Sequence, residues 1–163
     1  MNEQKITARR IAFAGVGGAL VFAATFFIRI PIPATDGYLN LGDAVILLLS
    51  FILGPFAFFP AAIGSALADL VAGYAHYALP TFIIKGGVGA LAGFILKKND
   101  KRLIAFVLGE ILMVLGYLLV EIFLYGVSPA LASSLFNLIQ GAAGVAVALI
   151  LTSFTFFKKQ RLK

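Results

Sequence analysis

Apolar residues run in long blocks along this chain, and the breaks between them are short and distinctive. The first block, 11–30, follows a polar, basic start and stops at Arg29-Ile-Pro-Ile-Pro33, because proline cannot continue a helix. Residues 34–41 form a loop carrying Asp36-Gly37, a turn signal. The next block, 42–73, is too long for one crossing at about 20 residues per span, and Gly54-Pro55 divides it. A short second helix over 42–53 and a third over 56–72 follow from that division. At 1.5 Å per residue the short one cannot span about 30 Å by itself. A tight loop over 73–79 leads to a fourth helix, 80–96, with Pro80 in its first turn. The charge run Lys97-Lys-Asn-Asp-Lys-Arg102 separates it from a fifth helix, 103–125, and Ser128-Pro129 opens a sixth, 129–157. The pattern predicts an all-α integral membrane protein, with residues 1–163 in one bundle of six transmembrane helices.

Composition agrees. Of 163 residues, 61% are hydrophobic and only 12% charged, which excludes a soluble domain and a disordered chain. No room is left for a separate catalytic domain. The basic start and first apolar run resemble a signal peptide, but the run exceeds the ~7–15 residues of such a segment. The net charge of +6 suggests orientation rather than nucleic acid. Lys5, Arg9, Arg10, Lys97, Lys98, Lys101, Arg102, Lys158, Lys159, Arg161 and Lys163 fall on one side, and the opposite loops carry only Arg29. Both termini are therefore expected in the cytoplasm. With no cysteine and a single histidine, His76, no metal site is expected.

Charged groups inside a bilayer cost at least ~2.5–3.5 kcal/mol on insertion scales, so they need partners or water. Here they gather toward the outer ends of the helices: Asp43, Asp69, Lys85 and Glu121, level with Tyr38, Asn40, Tyr74, His76 and Tyr77. Helical spacing aligns Glu110, Tyr117 and Glu121 on one face, Ser133, Asn137, Gln140 and Gly144 on another, and Thr81, Lys85 and Gly89 on a third. Three polar stripes in the outer half predict a polar cavity open to the outside and closed toward the cytoplasm. Bland readings stand beside this one. Asp69 and Lys85, at matched depth, form an ion pair or contact a ligand. Asp43 complements the helix dipole or contacts a ligand. Asn137 and Gln140 serve as interhelical glue or as ligand contacts. Tyr74 and Tyr77 read as interfacial belt residues, and His76 as a solvated loop residue.

Gly15, Ala19 and Ala23 recur every four residues on the first helix, a face for close packing within the bundle or against another membrane protein. The chain has no G-x-x-x-x-G-K-[ST], and Gly86-Gly87-Val88-Gly89 follows no strand, so nucleotide and dinucleotide loops are excluded. No cofactor and no nucleophile–base set is apparent, so an enzyme is not expected. Uphill uptake would draw on a partner or an ion gradient.

The chain resembles the substrate-binding S components of energy-coupling factor (ECF) vitamin transporters over nearly its whole length. The most specific stretches are Gly37-Tyr-Leu-Asn-Leu-Gly-Asp43, Gly54-Pro55, Ile63-Gly-Ser-Ala-Leu-Ala-Asp69 with Gly73-Tyr74, and Ile83-Ile-Lys-Gly86. They are similar to the subgroup of riboflavin-, hydroxymethylpyrimidine- and pyridoxine-type S components. The resemblance implies a multi-pass protein of the bacterial cell membrane that captures a vitamin from outside. Tyr38, Asn40, Lys85, Tyr117, Glu121, Asn137 and Gln140 are then the expected substrate contacts. It also implies a transmembrane coupling subunit, docked through Gly15-xxx-Ala19 in place of the family's Ala-xxx-Ala, and through it two ATPase subunits. The polar inventory suits a small hydroxylated heteroaromatic, with pyridoxine or hydroxymethylpyrimidine first and riboflavin second. A stand-alone proton-coupled carrier, using Glu110 or Glu121, is the alternative.

Overall fold

The computed structural model describes residues 8–32, 35 and 37–161. Asp36 of the turn signal and the basic residues Lys5 and Lys163 lie outside the described residues. Six long helices are present: α1 (Ala8–Phe26), α2 (Gly42–Leu53), α3 (Phe58–Ala72), α4 (Ala75–Asn99), α5 (Arg102–Tyr125) and α6 (Val127–Ser153). A short α7 (Thr155–Gln160) follows.

Helix α2 is the centre of the bundle, with ten of its twelve residues buried. It packs against α1, α4 and α6, while α1–α3, α3–α4, α4–α5 and α5–α6 are neighbours around it. Its apolar side chains Ile46, Leu47 and Leu53 meet Val88, Leu96, Phe106 and Met113 in the core. Because α2 is wrapped by protein, its 12 residues need not match the thickness of the bilayer. Its C-terminal carbonyl at Leu53 accepts a hydrogen bond from Arg10 Nη2 at 2.8 Å. The outer helices show the opposite pattern: Leu119 and Phe123 on α5 are 69% and 89% exposed, as expected for a lipid-facing surface.

Gly54 and Pro55 divide α2 from α3 as expected, through a 3-10 turn over Gly54–Ala57. Gly54 has φ +62°, a left-handed conformation that glycine adopts without penalty. Helix α4 packs directly on this turn, and a side chain at Gly93 would collide with the Gly54 carbonyl.

Four boundaries differ from the expectations. Helix α1 stops at Phe26, and Arg29–Pro31 (β1) forms an antiparallel pair with Tyr38–Asn40 (β2), Ile30 opposite Leu39. Prolines at 31 and 33 forbid further helix, and the flanking isoleucines suit an extended chain. Helix α4 begins at Ala75, so 75–79 is helix rather than loop and Pro80 lies inside it. The amide Pro80 lacks would have bonded to His76, near the helix start, where the loss is small. Residues 56–57 belong to the 3-10 turn rather than to α3. Finally, α6 ends at Ser153, where Phe154 turns extended (ψ 137°) and α7 changes direction.

Both described ends of the chain lie at one end of the bundle. Arg9 donates to Gln160 at 2.9 Å, and Arg161 to Asp100 beside the α4–α5 connection at 2.7 Å. The hairpin β1–β2 lies at the opposite end, with the α3–α4 turn and the C-terminus of α5.

Candidate functional site

A narrow cavity of about 30 Å3 lies beneath the hairpin, between α3, α4, α5 and α6. All seven expected substrate contacts line it: Tyr38, Asn40, Lys85, Tyr117, Glu121, Asn137 and Gln140. Helical periodicity explains the convergence. Thr81 and Lys85 on α4, Tyr117 and Glu121 on α5, and Ser133, Asn137 and Gln140 on α6 each sit one turn apart, facing inward.

The floor is ionic. Lys85 Nζ meets Asp43 Oδ1 at 2.5 Å, with side chains 3% and 1% exposed. Gln140 Nε2 donates to Asp43 Oδ2 at 2.6 Å, so both carboxylate oxygens are occupied. The expected Asp69–Lys85 pair is therefore corrected to Asp43–Lys85. Asp43 opens the central α2, directly across from Lys85, whereas Asp69 Oδ1 accepts the hydroxyl of Tyr38 at 2.5 Å. Asp43 also stands against Gly144, where an added Cβ would come within 3.1 Å of the Asp43 Cβ. The glycine in the α6 stripe thus makes room for the buried acid.

The roof is the hairpin. Tyr38 reaches down to Asp69, and its ring lies 5.0 Å from that of Tyr74. Burial, and then the neighbouring Asp69 charge, pushes the Tyr38 phenol above its ordinary value, so it remains a proton donor. The backbone N–H of Asn40 donates to Gln140 Oε1 at 2.7 Å, and the Asn40 side chain accepts from Gly42 N at 2.9 Å. Gln140 therefore joins roof to floor: its oxygen holds the hairpin and its nitrogen holds Asp43.

The walls combine aromatic rings and hydroxyls. Tyr117 OH and Thr81 Oγ1 are 2.9 Å apart, and Lys85 Nζ lies 5.4 Å from the Tyr117 ring centroid. Glu121 Oε1 accepts from Ser133 at 2.9 Å and from Tyr77 at 3.3 Å. Tyr77 is thus corrected from interfacial belt to cavity wall, only 4% exposed. Its place followed from α4 starting five residues early, which turns 77, 81 and 85 into one inward face. Thr25 and Ser65 also line the cavity and were not anticipated. Single hydroxyls on small-residue faces carry little sequence signal.

Several wall atoms lack partners. Thr25 Oγ1, Ser65 Oγ, Glu121 Oε2 and Asn137 Nδ2 are buried without a hydrogen bond among the described residues. Each such atom costs about 1–3 kcal/mol when unsatisfied, so together they favour a ligand carrying both donors and acceptors. Glu110, the deeper acid on α5, does not line the cavity. His76 bonds Tyr125 at 3.1 Å and remains exposed.

On α1, Gly17, Val21 and Thr25 face the bundle, with Gly17 against Leu49 and Val21 against Gly64. Gly15 and Ala19 face outward, Gly15 with nothing within 4 Å of an added Cβ, and Ala23 is half-buried.

These features define a polytopic membrane protein with a roofed polar cavity near one face. The chain belongs to the ECF-type riboflavin transporter S component family, whose sequence pattern matches residues 5–155. It is a multi-pass protein of the cell membrane and an S component for vitamin or vitamin-precursor transport, not an enzyme. It is 31% identical over 153 residues to the thiamine precursor transporter HmpT of Lactococcus lactis, covering 88% of this chain and 86% of that protein. An uncharacterized protein of Pyrococcus woesei is 41% identical over 131 residues, covering 78% of this chain and 88% of the other. A solved S component of a bacterial ECF transporter shares the fold, with TM-score 0.70 at 21% identity, covering 89% of this chain and 94% of that one.

Proposed function

We propose that this chain captures a single-ring vitamin precursor, hydroxymethylpyrimidine or pyridoxine, in the roofed cavity. One observation carries the reading: a narrow cavity of about 30 Å3 brings an ionic floor, aromatic walls and unpartnered donors and acceptors together. The thiamine precursor named for the Lactococcus relative supports the pyrimidine. Lys85, Tyr117, Glu121, Asn137 and Gln140 contact the ligand, while Tyr38 and Asn40 carry the roof over it. Riboflavin is the second reading, favoured by the description of the family.

The cavity opens to the outside and the basic end faces the cytoplasm, in line with the one-sided distribution of Lys and Arg. Delivery runs through a transmembrane coupling subunit and two ATPase subunits. Outward-facing Gly15 and Ala19, with half-buried Ala23 continuing the row, support docking of the coupling subunit, because α1 packs on its own bundle through a different face.

Mass spectrometry of small molecules released from gently purified protein tests this, with a mock membrane preparation alongside. A near-stoichiometric pyrimidine or B6 vitamer is expected, and a flavin would select the second reading. An empty protein that stays empty after incubation with a vitamin panel would remove the capture reading. Uptake in cells lacking an ATP-driven partner, collapsed by an uncoupler, would replace it with a proton-coupled carrier.

A further inference from the structure

The end of the bundle farthest from the hairpin holds a second cavity, an open one of about 560 Å3. It lies between the start of α1, the Gly54 turn, the end of α4 and Arg161. Four of its lining side chains are cationic, Arg10, Lys97, Lys98 and Arg161, against one acid, Asp100. Two of the cations are fixed in place. Arg10 lies 5.0 Å from the Phe56 ring centroid and Arg161 5.0 Å from that of Phe51. Their Nη2 atoms donate at 2.8 Å to the carbonyls of Leu53, the last residue of α2, and Leu96, in the last turn of α4. Lys97 and Lys98 are exposed, and among the described residues neither forms an ion pair. The cavity wall therefore presents two held guanidinium groups, that of Arg161 already paired with Asp100, and two exposed ammonium groups, a composition suited to a phosphate.

The flanks favour a lipid as the source of that phosphate. Phe94, one turn before Lys97 and Lys98 on α4, is 60% exposed. Phe156 on α7, one turn before Lys159, is 64% exposed. Helix α7 thus combines exposed aromatic and basic residues, the composition of a segment lying in a membrane interface. A soluble phosphate would leave these apolar flanks without a partner, whereas acyl chains cover them. Basic pockets at this level of a bundle are also where anionic headgroups gather.

We propose that this cavity seats the phosphate headgroup of an anionic phospholipid. The site is separate from the vitamin cavity, and the proposal does not rest on the vitamin reading. Native mass spectrometry of the delipidated full chain tests it, with phosphatidylglycerol, phosphatidylcholine and inorganic phosphate as probes. One phosphatidylglycerol should bind per chain, well ahead of phosphatidylcholine. The double variant Lys97→Gln/Lys98→Gln should weaken that binding by about tenfold or more. Lys97→Arg/Lys98→Arg should keep it, which separates charge from misfolding. Equal binding of the two lipids, or an unchanged Gln variant, would overturn the proposal. Inorganic phosphate displacing the lipid at comparable concentration would also overturn it, assigning the cavity to a soluble anion.

Discussion

Lys85 and Asp43 meet at 2.5 Å with side chains 3% and 1% exposed, whereas Arg161 and Asp100 meet at 2.7 Å with 29% and 65% exposed. The separations are nearly the same, yet the pairs belong to different physics. At the basic end, water screens the charges, and such a pair contributes about 0–1 kcal/mol. Under the hairpin, each charge is taken out of water and has the other as its partner, and Gln140 completes the shell of Asp43. One end holds charge at an interface, and the other stores it inside a cavity that is mostly roofed.

The comparison breaks most visibly at Lys85. Replacing it as Lys85→Met leaves Asp43 buried and unpaired, and should destabilise the protein by about 3–5 kcal/mol in thermal unfolding. Adding Asp43→Asn should restore most of the stability but not ligand affinity. A single variant as stable as wild type would mean that the buried pair is no different from the exposed one. Next in size is Gln140→Ala, which removes the acceptor of Asn40 N and a donor to Asp43 together. A loss of about 1–3 kcal/mol is expected, with faster proteolysis at 29–41 than in wild type. Asn137→Ala should act on the ligand instead. Its Nδ2 has no partner among the described residues, so affinity should fall about tenfold with little change in melting temperature. Smallest is Arg161→Gln at the basic end, expected to cost less than about 1 kcal/mol and to leave vitamin affinity unchanged.

Much of this arrangement can be read from residue spacing. Apolar run lengths and the Gly54-Pro55 break locate six helices, and the period of 3.6 collects Lys85, Tyr117, Glu121, Asn137 and Gln140 toward one space. The hairpin was hidden because three-residue strands carry too little alternation to stand out beside a long apolar run. The pairing of Lys85 was open for a different reason. Depth along a helix is readable from sequence, but which neighbour faces which is set by the tertiary packing of α2 in the centre. Depth pointed to Asp69 as the match for Lys85 and put Asp43 at the start of its helix, and only the central position of α2 brings Asp43 to Lys85. Tyr77 was misplaced by a proline that usually opens helices and here lies inside one.

Calorimetric titration of the purified chain with hydroxymethylpyrimidine, pyridoxine and riboflavin tests the central claim most directly. Saturable binding of a single-ring ligand at one molecule per chain, not displaced by equimolar riboflavin, is the predicted result. Failure of all three ligands to bind the folded protein would contradict it.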